Sequence, residues 1–198
     1  MRRTIGIYLA ICAIALSTSV FVAVVWTATS YASDPEVSAP VLEQAKPTES
    51  VPYPLRLRIP AIKVDANIKQ VGVNEKGNMA TPGNFTDVGW YKYGTKPGGR
   101  GSAVMAGHLN NALGLDGVFA NLNKTKIRDD IYVMREDGSG VRFTVMDIQS
   151  YPYDQTPTDA IFNTADGVYL NLITCGGKWL QEKKTYDQRL IVFAKLTD

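Results

Sequence analysis

The 198-residue chain predicts a mainly β fold, a closed or nearly closed barrel with short helices, carried behind one apolar N-terminal segment. Three observations predict it. Short stretches that alternate apolar and polar residues recur from Leu55 to Leu196, which is the period of half-buried strands. Clusters of Gly, Pro, Asn and Asp separate them regularly, and helical periodicity is scarce, as in closed antiparallel architectures. Ahead of them, no charged residue stands between Arg3 and Asp34.

That uncharged stretch sets the organisation. Ile5 to Thr27 is rich in Ile, Leu, Val and Ala, and at ~1.5 Å per residue it spans roughly 34 Å as a helix, enough to cross a bilayer. A cleaved signal peptide has a shorter apolar core of ~7–15 residues and a small-residue cleavage site. No convincing site follows Trp26, so an uncleaved anchor over 5–27 is the expectation. Arg2 and Arg3 in front, with Asp34 and Glu36 behind, place residues 1–4 in the cytoplasm and everything after the anchor outside. The protein is then a single-pass protein of the cell membrane with an extracytoplasmic domain. Residues 28–54 form a linker with Pro35, Pro40, Pro47, Pro52 and Pro54, extended at ~3.1 Å per residue. The folded domain occupies 55–198.

Within that domain, Leu55, Leu57 and Ile59 alternate with Arg56 and Arg58 as a first strand ended by Pro60. Ile62-Lys63-Val64 and Ile68-Lys69-Gln70-Val71 suggest two short neighbours. Asn74 to Asn78 and Thr81 to Asn84 read as turns, Gly89 to Tyr93 as an aromatic segment, and Lys96 to Gly101 as a loop. Ser102 to His108 is a small-residue strand ending at the histidine, followed by a polar loop from Asn110 to Gly117 and a short helical turn over Val118 to Leu122. Asp130 to Arg135 and Val141 to Ile148 are strands joined by a glycine-rich hairpin turn. Thr158 to Phe162 forms one helical turn behind Pro157. Val168 to Thr174 and Leu190 to Leu196 are the last strands.

Composition narrows the chemistry. A formal net charge of +2 demands no nucleic-acid partner. The chain has a single histidine and no Cys-x-x-Cys pair, which argues against a zinc site. Asp154, Asp159 and Asp166 are too scattered for a calcium site, so no metal and no cofactor is expected.

Of the two cysteines, Cys12 lies in the apolar segment, where it acts as a small apolar residue. Cys175 is then without an intramolecular disulfide partner outside the membrane. A buried small hydrophobe and a reactive thiol are both open readings. Its place before Gly176-Gly177, where a strand meets a turn, favours the thiol. His108 also closes a strand, beside a glycine that permits close backbone approach. A lone histidine is more often a surface or hydrogen-bonded structural residue than a catalyst. Arg189, after Thr185-Tyr186-Asp187-Gln188, opens the last strand. It is either a solvated strand end or a permanent cation able to stabilise a thiolate or an oxyanion. The order His, Cys, Arg differs from papain-like peptidases, which place the cysteine first. L,D-transpeptidases carry a second histidine near the cysteine, and this chain has none.

Leu172-Ile173-Thr174-Cys175 resembles the Leu-x-Thr-Cys motif of sortases. His108 after Val104-Met105-Ala106-Gly107, and Arg189 before Leu190-Ile191-Val192, are similar to that family's two other catalytic positions. The resemblance covers roughly residues 55–198 and is nearest to class F, with class D or E also open. It implies an eight-stranded sortase-type β-barrel and a two-step transpeptidation. Cys175 would attack the Thr–Gly carbonyl of a Leu-Pro-x-Thr-Gly-like sorting signal. His108 would move the proton, Arg189 would hold substrate and oxyanion, and Thr174 and the Gly176 backbone would add hydrogen bonds. The acyl group would pass to an amine acceptor such as a cell-wall precursor, anchoring surface proteins in a Gram-positive envelope without a cofactor. A hydrolytic cysteine peptidase of the same fold and an inert extracytoplasmic binding barrel are the alternative readings.

Overall fold

The computed structural model describes residues 51–111 and 113–197. The expected cytoplasmic N-terminus and membrane anchor, and the linker up to residue 50, lie outside the described residues.

Eight strands form one closed barrel in the order β1-β2-β3-β4-β7-β8-β6-β5. They are β1 (Pro54–Ile59), β2 (Val64–Val71), β3 (Val88–Tyr91), β4 (Gly101–Ala106), β5 (Asp130–Arg135), β6 (Gly140–Pro152), β7 (Val168–Leu180) and β8 (Thr185–Thr197). Among the described residues one α-helix, α1 (Thr158–Phe162), precedes β7. The pairs β2–β3 and β4–β7 are parallel, whereas the remaining neighbours are antiparallel. Closure through β1–β5 removes the open edges that an eight-stranded sheet would otherwise expose.

Alternation along the strands builds two apolar layers. One face of β4, β7 and β8 sends Ala103, Met105, Leu170, Leu172, Val192 and Ala194 into the barrel, where they pack with Leu57, Ile59, Trp90, Phe119 and Phe143. The opposite face sends Val104, Ala106, Ile173 and Ile191 outward, under Ile161 and Phe162 of α1 and under Met79. Successive strand residues point to opposite faces, so a sequence that is apolar at every position, such as Leu170 to Ile173 apart from Asn171, must be covered on both. Asn171 fits because its amide donates to the Ile161 carbonyl at 2.6 Å, tying α1 to β7.

Most expected elements are present, and their departures have local causes. Leu55 was expected on the apolar face of the first strand but is 52% exposed. A register shift between Pro54 and Arg56 turns it out of the alternation. The two short strands expected around Ile62 and Ile68 are a single β2, because Ala66 continues the buried alternation between them. Ile62 instead closes a 3-10 turn over Pro60–Ile62. The helical turn expected at Val118 is displaced, the 3-10 segment being Leu122–Lys124. Strands β6, β7 and β8 each run for 13 residues, longer than their apolar cores indicate, because their polar ends still pair with neighbours.

Leu172 is fully buried inside the barrel. Leu172→Ala is expected to lower stability by about 2–5 kcal/mol, measured by chemical denaturation monitored through tryptophan fluorescence.

Candidate active site

The site is built on the outer face of β4, β7 and β8. Ala106 of β4 pairs with Ile173 of β7, and Ile173 pairs with Ile191 of β8, so these three outward side chains form one row. Two residues further along β7 is Cys175, paired directly with Arg189, which lies two residues before Ile191 on the antiparallel strand. Two residues beyond Ala106 is His108. The β4–β7 ladder continues past the end of β4, with the Gly107 amide donating to the Ile173 carbonyl at 3.1 Å. A period of two keeps each of the three on the face of its predecessor. The next row is therefore His108, Cys175 and Arg189, on strands spaced ~4.8 Å apart.

All three are buried: Cys175 and His108 are each 1% exposed, and Arg189 is 0% exposed. Cys175 takes part in no disulfide. The sequence placed it at a strand end and on an edge; the structure corrects this. Strand β7 continues to Leu180, and Gly176 to Trp179 is a break in register within the ladder, not a hairpin turn. Glycine signals turn and bulge alike in a sequence. Gly177 is the glycine that this bulge requires. Its φ is +78°, and a Cβ there would collide with the Asp187 carboxylate, which accepts the Lys178 amide at 2.6 Å. Arg189 likewise lies inside β8, not at its opening, since β8 starts at Thr185.

His108 is oriented by a residue that carries no local signal in the sequence. Its Nε2 lies 3.0 Å from the Pro82 carbonyl oxygen. A carbonyl only accepts, so Nε2 must carry a proton, and Nδ1 is left as the ring's exchangeable position. Nδ1 is buried with no partner among the described residues. The His108 carbonyl accepts the Phe119 amide at 3.0 Å, closing the following loop onto it. Gly107 was read as permitting close backbone approach beside the histidine. In the structure the space a Cβ would take is filled by Phe119 and Val118, so its smallness serves packing behind the histidine.

Thr174 faces away from Cys175, in phase with Leu170 and Leu172. Its hydroxyl donates to the Gly107 carbonyl at 2.8 Å. The resemblance gave it a hydrogen bond to the reacting carbonyl, but its proton is committed to joining β7 to the segment that carries His108. Gly176 follows Cys175 half-buried, and a Cβ there would make only ordinary contacts.

Arg189 is held by its own strand. Nη1 donates to the Tyr186 carbonyl at 3.0 Å and the Gln188 carbonyl at 2.8 Å, and Nη2 donates to Thr185 Oγ1 at 2.9 Å. Nε is buried without a partner. The Tyr153 ring covers the guanidinium at 5.7 Å, a cation–π contact. Tyr153 also accepts from Lys183 Nζ at 2.7 Å, and that hydrogen bond raises the lysine's pKa. On the other side Asn110 donates to the Tyr186 hydroxyl at 2.6 Å, joining the loop after His108 to the β7–β8 arm. Thr185 had no readable signal, because the sequence placed the start of the last strand after it; β8 starts at Thr185, which puts it on the face of Arg189 four residues on.

The site therefore unites a thiol, an imidazole with one ring nitrogen unengaged, and a guanidinium whose Nε is unengaged. Such a set suits nucleophilic attack with proton transfer and anion stabilisation. Replacing Thr174 by Val is expected to cost about 1–3 kcal/mol by stranding the buried Gly107 carbonyl, whereas Thr174→Ser retains most of the stability; paired thermal melts distinguish them.

No curated protein matches the chain by sequence. Among solved structures, sortase C-1 from Actinomyces oris is similar at 22% identity and a TM-score of 0.58, over 85% of this chain and 88% of that one. A Clostridium perfringens sortase D5 transpeptidase is similar at 21% identity and a TM-score of 0.56, over 74% and 79%. Sortase C1 of GBS Pilus Island 1 is similar at 22% identity and a TM-score of 0.55, over 73% of this chain but 65% of that one, just under two thirds of its length. These likenesses carry the fold. Membership is carried by the sequence model of the Sortase domain, which matches residues 57–197, from the first core residue of β1 to the end of β8. The chain belongs to the sortase family.

Proposed function

We propose that the chain is a membrane-anchored cysteine transpeptidase that cleaves a Leu-Pro-x-Thr-Gly-like sorting signal between Thr and Gly and transfers the upstream protein to an amine. The observation that carries this reading is the row of Cys175 on β7, Arg189 on β8 and His108 two residues past β4, with His108 Nδ1 and Arg189 Nε buried and without partners among the described residues. An inert binding barrel has no use for that convergence.

Each residue takes one role. The Cys175 thiolate attacks the threonine carbonyl, and the carbonyl oxygen gathers negative charge. Arg189, permanently charged, directs its Nε–H at that oxygen. The C–N bond then breaks, and His108 Nδ1–H supplies the proton that the leaving glycine amine needs. What remains is a thioester on Cys175 and a neutral imidazole. An incoming amine gives a proton to Nδ1 and attacks the thioester; the new C–N bond forms and the thiolate departs. Protons and charge return to their starting places, so the cycle needs no added reagent. In the cell the acceptor is an amine of a cell-wall precursor or of another protein. The apolar segment over 5–27 and the proline-rich linker hold the domain above the membrane of a Gram-positive cell. The likeness to class F is a reading of the segments around His108 and Cys175; the neighbours above are titled sortase C and sortase D.

The full-length chain in detergent, given a Leu-Pro-x-Thr-Gly peptide and triglycine, is expected to form a thioester detectable by intact mass and then a triglycine-linked product. Cys175→Ala and His108→Ala should each reduce product formation by roughly a thousandfold or more, and the double variant should be little worse than either. Cleavage that yields only hydrolysed peptide across a series of amines would overturn the transferase reading. Undiminished turnover in Cys175→Ala would overturn the mechanism.

A further inference from the structure

Arg189 has more donors than the reaction uses, and the structure divides them unequally. Both protons of Nη1 go to backbone carbonyls within three residues, those of Tyr186 and Gln188. No side-chain substitution can remove those acceptors. Nη2 depends on one side chain, the hydroxyl of Thr185, itself only 4% exposed. Nε alone is buried without an acceptor. Thr185 and Arg189 are four residues apart on β8, hence on one face, and that face is shared with Cys175 opposite Arg189.

We infer that Thr185 is a positioning residue for the reaction, holding the Arg189 guanidinium by Nη2 so that its Nε–H stays directed to the carbonyl attacked by Cys175. The inference rests on the transpeptidase reading for its chemistry and on the geometry above for its structure. A guanidinium is planar, so fixing two of its nitrogens fixes the direction of the third. The two Nη1 bonds and the Thr185 bond to Nη2 hold the plane together, and Thr185 is the one of these anchors that is a side chain and can be removed. The Tyr153 ring centroid lies 5.7 Å from the guanidinium carbon, and this cation–π contact supplies no directional hydrogen-bond acceptor. Without the Thr185 hydroxyl, Nε–H and Nη2 compete for the oxyanion, and the arginine enters the transition state in a mixture of orientations. The consequence belongs to kcat, since the oxyanion exists only after attack.

The test is a double-mutant cycle on the full-length chain, reading single-turnover thioester formation with the sorting peptide. Thr185→Val should slow the acylation rate roughly tenfold, the cost of one charge-assisted hydrogen bond, with little change in KM. Thr185→Ser should restore the rate to within about threefold. In an Arg189→Lys background Thr185→Val should cost less than about twofold, because the planar group it orients is gone. A merely structural role predicts the same penalty in both backgrounds, and that result overturns the inference; so does a Thr185→Val rate equal to that of the unaltered chain, or a Thr185→Ser rate as low as that of Thr185→Val. If Thr185→Val does not fold, Thr185→Ala carries the same cycle. A chain that forms no thioester with the peptide overturns the transpeptidase reading instead, and the cycle is then read from alkylation of Cys175 by iodoacetamide. There a slowing of about threefold or more, confined to the Arg189 background, supports the positioning role, and an equal rate overturns it.

Discussion

The register of β7 against its two neighbours is the constraint on which the site depends. On one side the pairing is parallel, Ala106 with Ile173; on the other it is antiparallel, Ile173 with Ile191. Given those two pairings, the positions of His108, Cys175 and Arg189 follow from counting two residues along each strand. A slip of one residue in either ladder would send one member of the row into the barrel and leave the others outside. The register is secured from both faces at once. Leu170, Leu172 and Val192 are matched inside, Asn171 is bonded to α1 outside, and the Thr174 hydroxyl pins the Gly107 carbonyl next to the histidine. An ordinary half-exposed strand would specify its register on one face only.

Burying an arginine beside a thiol is the costly part of this arrangement. An unpaired guanidinium in a dry environment is strongly destabilising. Among the described residues no salt bridge from a carboxylate neutralises the charge. Neutral acceptors do the work instead: two carbonyls, one hydroxyl and the face of Tyr153. That choice has a chemical consequence. A carboxylate partner would compete with a thiolate or an oxyanion for the arginine's field, whereas neutral partners solvate the cation and leave its charge uncompensated. The positive field is therefore available to an anion formed at Cys175.

Much of this was legible in the sequence, and the exceptions share a cause. The strands that line the barrel announced themselves by alternation, and Cys175, His108 and Arg189 stood out because a thiol, an imidazole and a guanidinium each end or begin an apolar run. Local patterns do not report how far a strand continues once its residues turn polar. Cys175 therefore read as an edge residue although β7 continues past it, and Gly176-Gly177 read as a turn although it is a bulge. Leu55 read as core because alternation cannot show a register shift. Pro82 was beyond reach for a different reason. Its contribution is a carbonyl, which every residue has, brought to His108 by the path of the loop between β2 and β3.

The outer placement of the row also decides which parts of the molecule support it. The barrel interior is large, and its twenty or so buried side chains share any disturbance. The row rests on the smaller outer cluster, in which Ala106, Ile173 and Ile191 are its immediate predecessors and Ile161, Phe162 and Met79 are their cover. Phe162 and Met79 belong to the same cluster as Ile173, the residue two before Cys175. Loss of volume at Phe143 or Val145 reaches the row only through the whole barrel. Close-packed layers transmit displacement to what they touch. The short helix α1, although it contributes no group to the chemistry, is therefore tied more closely to the geometry of the thiol than most of the barrel core is.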